Sequence, residues 1–330
     1  MTLTLAPPSH RHSRSLRRVM NATCSLVKDV YVPTISGLRA YYPLDLHLYD
    51  LSGNAYNLSL GATRPQFTKQ GRVGGCAQLT ASSSLEVTTP LLYPSGSTTR
   101  SLSLWFKATA YGTIYKEWNT ANSAMFTIAI TSATQITVTC LDSAGATIYT
   151  QVFTYAVSTS SPINHLALVD NNGATITLYV NGASVGVVSA PPGAYSLTCS
   201  SSALGAGNFA GLVDEVAAYN VALSGANVTS LYSAPTRSTS GSLTPNSTYT
   251  QSDLPCRASH IFGGGQRSTI ESVTEMRQAV KGEMVVILEA PVLVQERDTL
   301  IYEGKRYDVT AVQDAGGMGQ HHQVFVLETK

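Results

Sequence analysis

The sequence predicts an all-β protein made of two units. One is a small β-barrel split between residues 1–34 and 236–330; the other is a two-sheet jelly-roll sandwich over residues 35–235 that interrupts it. Three observations lead there. Short apolar or alternating runs rich in β-branched and aromatic residues recur at intervals of roughly 8–12 residues, separated by Gly, Asn, Ser and Pro turns. The density of charge changes abruptly along the chain. And one apolar run near the N-terminus would be left unpaired if the parts simply followed one another in tandem.

Of 330 residues, 12 % are charged and 43 % hydrophobic, with a formal net charge of +1. The charged fraction is about half the roughly 25 % usual in soluble domains, while the apolar content excludes a disordered polyelectrolyte. No apolar run approaches the roughly 18–20 residues that a spanning helix needs. The basic stretch "HRHSRSLRR" is followed by "VMNATCSLVKDVYV", interrupted by Asn21, Lys28 and Asp29, so a secretory leader with its apolar stretch of about 7–15 residues is not expected. Five cysteines, Cys24, Cys76, Cys140, Cys199 and Cys256, form no C-x-x-C pair, which argues against a disulfide framework and a cysteine zinc site. They read as small buried apolar groups. Four N-x-S/T triplets, at Asn21, Asn57, Asn227 and Asn246, are expected by chance in so Ser/Thr-rich a chain.

Residues 1–34 hold five basic and one acidic side chain, residues 35–235 seven and eight, and residues 236–330 nine and eleven. Thus 15 of 201 residues are charged in the middle against 20 of 95 in the last part. The stretch "SAPTRSTSGSLTPNST" between them reads as linker.

Along the chain, the basic arm His10, Arg11, His12, Arg14, Arg17 and Arg18 comes first, either a contact for DNA phosphate or an acidic neighbour, or a solvated tail. "MNATCSLVKDVYVPT" (20–34) then reads as a strand. In the middle unit "SLSLWFKA", "AMFTIAI", "QITVTCL", "TIYTQVFTYAV", "HLALVD" and "TITLYVNG" are strands, with turns at 170–174 and 180–184. "LSGANVTSLY" is the one good helical signal, with Leu223, Val228, Leu231 and Tyr232 on one face and Ser224 as N-cap. In the last unit 252–261, 276–291, 298–314 and 321–329 alternate as strands, and "YEGKRY" is a hairpin centred on Gly304. Four strands in about 75 residues suggest a small barrel, which removes exposed edges. The long connection 262–276 opens with Gly263, Gly264 and Gly265; such a loop is either functional or an ordinary hairpin tip.

Catalysis is not expected. A glycosidase needs two carboxylates about 5–10 Å apart, yet Glu117 and Glu86 have no acidic neighbour two positions away, and Asp214 and Glu215 are adjacent, so in a regular strand they face opposite ways. No G-x-S-x-G signature occurs. A cofactor is not expected, apart from a structural calcium ion. Calcium takes six to eight oxygens; "YDLSGN" offers Asp50 and Asn54, with Asp214 from a neighbouring strand, unless Asp50 and Asn54 only hold their own turn. Tyr111, Tyr115 and Trp118, in the loop-like "AYGTIYKEWNTANS", form either a glycan platform or core packing.

The segments 38–60, 71–79, 101–108, 165–186 and 211–232, the last being G-x-x-D-E-x-x-x-Y-N-x-x-L-S, together resemble the laminin-G-like, concanavalin A-like jelly-roll family over about 195 residues. The resemblance implies two packed antiparallel sheets, frequent carbohydrate or protein binding, and in many members one structural calcium. The C-terminal order "DLPCRAS", "VVILEAPVLVQERDTLIYEGKRYDVTAVQD", "HHQVFVLE" resembles head-closure and head–tail connector proteins of tailed bacteriophages over about 80 residues. It matches their D-x-[LIV]-x-x-x-G-x-x-Y-x-V-x-x-V core at Asp298, Leu300, Gly304, Tyr307, Val309 and Val312. Connectors begin with a strand ahead of the "PC" strand. Here that strand is found only at 20–34, which makes the jelly roll an insertion, the alternative being three parts in tandem.

The connector resemblance implies a structural subunit without catalysis, forming a hexameric or dodecameric ring in the virion neck, between portal or adaptor and tail proteins, after synthesis in the host cytoplasm. DNA would pass its lumen, no membrane is involved, and Gly263, Gly264, Gly265, Gln266 and Arg267 would form the lumen or ring loop. The jelly roll would face outward. The alternative is a carbohydrate-binding adhesin or decoration protein attached through the C-terminal barrel.

Overall fold

The computed structural model describes residues 22–30, 32–45, 48–68, 70–72, 75–94, 99–119, 124–157, 163–172, 174–189, 197, 199–205, 207–233, 247–260, 284–289, 294, 298–314 and 321–329. Contacts divide the chain into two compact units, one of residues 1–31 with 245–330 and one of residues 32–244. Both are β-structures.

The smaller unit is a closed barrel of β1 (Ala22–Val30), β17 (Ser247–His260), β18 (Met284–Glu289), β21 (His321–Glu328), β20 (Lys305–Asp314) and β19 (Thr299–Tyr302), in that order around the wall. β1 closes it by pairing antiparallel with β17 on one side and β19 on the other. Closure removes the two outermost edge strands that an open sheet would have. Alternate positions point inward, so Cys24, Leu26, Leu254, Cys256, Met284, Val286, Leu288, Leu300, Tyr307, Val309, Val324 and Val326 fill the interior. Glu303 and Gly304, at φ 50° and 78°, make the two-residue turn between β19 and β20; positive φ at both central positions is what a tight hairpin demands, and glycine supplies one of them without strain.

The larger unit is a sandwich. One sheet runs β11 (Thr147–Thr154), β10 (Gln135–Leu141), β9 (Ala124–Ser132), β8 (Gly112–Trp118), β15 (Ser201–Leu204), β6 (Leu85–Val87), β3 (Ser59–Leu60). The other runs β14 (Ala183–Ser189), β13 (Thr175–Val180), β12 (Asn164–Asn171), β7 (Thr99–Ala110), β16 (Ala210–Tyr219), β5 (Cys76–Leu79), β4 (Gln66–Thr68), with β2 (Leu38–Tyr42) also pairing with β16. Their inward residues, among them Leu102, Leu104, Phe106, Phe126, Ile128, Ile136, Val138, Leu166, Leu168, Ile176 and Leu178, form one continuous core. The single described helix, α1 (Gly225–Ser233), starts as read from the sequence: the Asn227 amide donates to Ser224 Oγ at 3.1 Å while the Ser224 amide donates to Asn227 Oδ1 at 3.1 Å, a reciprocal cap. Val228 is its fully buried residue.

The ends of the sandwich lie side by side. Leu38 pairs with Tyr219, and the Asn220 amide donates to the Gly37 carbonyl at 2.9 Å. In the barrel, Val30 pairs with Ser247. The barrel therefore takes in and releases the chain at one spot, and the first and last strands of the sandwich are neighbours.

Candidate functional site

Residues 112–118, read from the sequence as loop, are the strand β8, and this reassigns the aromatic platform. Tyr111 is 37 % exposed at the β7–β8 turn, Tyr115 is 0 % exposed in the core, and Trp118 is half-buried on the solvent side. Tyr115 cannot meet a glycan: its hydroxyl donates to Glu117 inside the sandwich. Trp118 shares its face with Lys116 two positions back, whose ammonium lies 4.8 Å from the indole centroid.

Glu117, 0 % exposed, is a hub that sequence reasoning passed over. The amides of Leu91 (2.8 Å) and Leu92 (2.6 Å) donate to its Oε1 and that of Tyr93 to its Oε2 at 3.0 Å, beside the Tyr115 hydroxyl, with Ser202 Oγ at 3.1 Å. Burial pushes its carboxyl above the ordinary range, and these donors pull against burial. The role is to pin the 91–93 segment to β8. Nearby, Arg100 (1 % exposed) lies 3.6 Å from Asp170 and 4.0 Å above the Tyr93 ring, while the Tyr93 hydroxyl donates to Asp170 at 2.8 Å. No sequence signal joins Arg100 to Asp170; register does, since the two pair directly across β7 and β12.

The residues considered for calcium are held by the protein itself. Asp50 Oδ1 accepts from the amides of Tyr41 and Ser52 at 2.9 Å each; Oδ2 accepts from the Tyr56 amide at 3.0 Å and the Ser52 hydroxyl at 2.9 Å. Asn54 Nδ2 donates to the Arg39 carbonyl at 2.9 Å. This is the turn-holding arrangement. Asp214 Oδ2 accepts from the Arg72 amide at 2.6 Å. Among the described residues no group of three or more His, Cys, Asp or Glu side chains is placed to hold a metal ion.

Asp214 and Glu215 do not take opposite faces. The ladder shifts between Asp214 and Ala217, Glu215 has φ 50°, and Val213 and Val216 both enter the core. The bulge turns both acids outward. Both then sit by Tyr41, whose hydroxyl donates to Glu215; burial and these two acids, with Asp45, push that hydroxyl's pKa up. On the same sheet Trp105 is sandwiched between the Arg72 guanidinium at 4.4 Å and Tyr232 of α1 at 5.6 Å, beside buried His165.

In the barrel, Thr299, Lys305, Arg306, Asp308, Glu328 and Thr329 line a groove of about 490 Å³, bridged by a Lys305–Glu328 ion pair at 3.1 Å. The loop residues Gly263, Gly264, Gly265, Gln266 and Arg267, and the arm residues Arg11, Arg14, Arg17 and Arg18, lie outside the described residues. Among the described residues no helix is long and apolar enough to cross a membrane.

Residues 79–229 match the model of the family Laminin_G_3, described as the concanavalin A-like lectin/glucanases superfamily. With the two packed sheets, this establishes a concanavalin A-like, laminin-G-like jelly-roll domain in the chain. Comparison with curated proteins gives no match. Among solved structures, the chain is similar to domain 4 of AbnA, an extracellular GH43 arabinanase from Geobacillus stearothermophilus in complex with arabinotriose, at 24 % identity over 59 % of this chain and 98 % of that one, TM-score 0.48. It is also similar to the CBM40 of Ruminococcus gnavus IT-sialidase bound to α2,3-sialyllactose, at 16 % identity over 48 % and 96 %, TM-score 0.41. A third likeness is to the binding domain of Paraclostridial Mosquitocidal Protein 1, at 13 % identity over 93 % and 92 %, TM-score 0.47. At these identities and TM-scores the likenesses say nothing about ligand.

Proposed function

We propose that this chain is a structural subunit which assembles through its barrel, as a head–tail connector or head-closure protein of a tailed-bacteriophage neck, and carries the jelly roll as an outward decoration. One observation carries the reading: β1, separated from β17 by the whole jelly roll, supplies the wall strand that closes the barrel. A module attached to the end of an adhesin has no need of a strand from the far side of its cargo. A host domain that received an insertion does. The positions behind the connector resemblance also have physical roles in the wall. Leu300, Tyr307 and Val309 are core residues, Gly304 makes the hairpin, and the Asp298 carbonyl accepts the Val309 amide at 2.8 Å.

In this role the partners are further copies of the chain in a hexameric or dodecameric ring, the portal or adaptor and tail proteins above and below, and DNA in the lumen. Nothing in it requires turnover or a cofactor, and the site of action is the virion after assembly in the host cytoplasm. A second reading, a carbohydrate-binding decoration, is favoured by the match to the concanavalin A-like lectin/glucanases superfamily and by half-buried Trp118 on a solvent face; the jelly roll can serve both. Electron microscopy of particles containing the chain tests the first. A closed homomeric ring at the head–tail junction supports it, since a repeated pair of faces closes by rotation. A single copy, or a position away from that junction, overturns it.

A further inference from the structure

Among the five cysteines, two meet inside the barrel wall. Cys24 on β1 and Cys256 on β17 are both free, 3 % and 0 % exposed, and members of one interior cluster. Their strands are hydrogen-bonded neighbours, with Ala22 opposite Cys256 and Cys24 opposite Leu254. The two cysteines are thus diagonal neighbours on the same, inward face. The two thiols interact, the contact raising that of Cys24 and lowering that of Cys256. They also stand on the two chain segments that flank the insertion, with 231 residues between them.

We propose that Cys24 and Cys256 form an oxidation site, taking a hydroperoxide as oxidant and closing into a disulfide that ties β1 to β17. The inference goes beyond the connector reading and holds whatever the barrel attaches to. Diagonal positions in a sheet are about 7–8 Å apart at Cα, somewhat beyond the usual disulfide range. The register of β1 shifts between Cys24 and Leu26, so the strand is irregular where that shortfall must be absorbed. The contact also divides the roles. It raises the Cys24 thiol and lowers that of Cys256, which makes Cys256 the readier thiolate.

The chemistry balances with peroxide alone. The Cys256 thiolate attacks one peroxide oxygen, the O–O bond breaks, hydroxide leaves and a sulfenic acid remains. Cys24 sulfur then attacks the sulfenic sulfur; the S–S bond forms, the S–OH bond breaks, and that oxygen departs as water with the Cys24 proton. Overall two thiols and one hydrogen peroxide give one disulfide and two waters, two electrons passing from sulfur to oxygen. Hydrogen peroxide is close to water in size, which suits a site inside a barrel.

The test uses the full chain. Folded protein is treated with hydrogen peroxide, quenched by alkylation in denaturant, and mapped by mass spectrometry and non-reducing electrophoresis. The expected result is a loss of two mass units, a Cys24–Cys256 cross-linked peptide at least tenfold more abundant than any other cysteine pair, and a faster-migrating band that dithiothreitol reverses. Cys24→Ser should leave Cys256 trapped as sulfenic or sulfinic acid and abolish the fast band. Should that variant not fold, the wild-type map decides alone. Cys24 still fully alkylatable after treatment, or a disulfide joining other cysteines in its place, would overturn the assignment.

Discussion

Replacing Glu117 by Gln keeps the shape of the side chain and changes what it offers. The amide oxygen can stay where Oε1 is and keep accepting from Leu91, Leu92 and Tyr115, but its NH2 then stands where Oε2 accepts the Tyr93 amide at 3.0 Å. A buried backbone N–H loses its acceptor and faces a donor, at a cost of about 1–3 kcal/mol, and three charge-assisted bonds become neutral ones of about half the strength. The expected destabilisation is about 3 kcal/mol. Glu117→Ala leaves the Leu92 and Tyr93 amides and the Tyr115 hydroxyl without their acceptor and opens a void, so it should cost at least about 4 kcal/mol, a large part of a domain's total of about 5–15 kcal/mol. Urea unfolding followed by tryptophan fluorescence measures this in the full chain. The two tryptophans, Trp105 and Trp118, both lie in the jelly roll, so the signal reports that unit alone. With a slope of about 2–3 kcal/mol per molar urea, the Gln variant should shift the midpoint down by roughly 1 M. Glu86→Gln is the control: half-buried Glu86 accepts one hydroxyl, from Ser84 at 2.7 Å, and should move the midpoint little. A Glu117→Gln midpoint within about 0.2 M of wild type would show that the hub does not hold the 91–93 segment.

Burial, with Arg72 beside it, lowers the His165 imidazole from 6.5 to about 3; the folded value lies below the unfolded one, so its contribution is full above pH 6.5 and lost as pH falls toward 3. The jelly roll should lose about 2.5 kcal/mol between pH 7 and 4.5, and His165→Gln, measured by urea unfolding at both pH values, should flatten that slope; an unchanged slope would acquit His165. Chelator should leave the melting temperature of the full chain unchanged, because the Asp50 oxygens are already filled by four donors, and a chelator-induced drop that Asp50→Ala abolishes would refute this. If the chain retains any glycan on an array, Trp118→Ala should remove that binding and Tyr115→Phe should not, with the reverse pattern excluding the outer face. Replacing residues 36–235 by a short Gly/Ser linker should leave a soluble, folded barrel, and aggregation of the remnant while the full chain folds would contradict the insertion.

The strands easiest to read were those with clean alternation and a turn at each end. β10, β12 and β13 fall within a residue or two of "QITVTCL", "HLALVD" and "TITLYV", because each presents one face to the core and their turns carry Gly, Asn or Ser. β8 was missed for a physical reason. Its inward residues include Glu117, so a core position looked polar, and the flanking Gly112 and Asn119 looked like loop. The Asp214–Glu215 bulge has no compositional mark, since a left-handed glutamate is unusual and strict alternation is the rational expectation. The Arg100–Asp170 pair is visible only once β7 and β12 are in register. Cys24 and Cys256 lie 232 positions apart in sequence, and only the pairing of β1 with β17 brings them together.

The pairing of Val30 with Ser247 also sets a timetable. A ribosome must add 216 residues after Val30 before it reaches that partner, which at about 5–20 residues per second takes roughly 10–40 s. Throughout that interval β1 has no neighbour on either side, since β19 comes later still. The jelly roll, complete within residues 32–244, can fold during this time. A jelly roll folded first would shorten the loop that β1 and β17 must close from the 216 residues between Val30 and Ser247 to the seven before Leu38 and the 27 after Tyr219, α1 among them. A destabilised jelly roll should therefore slow barrel closure even if it touches no residue of the barrel.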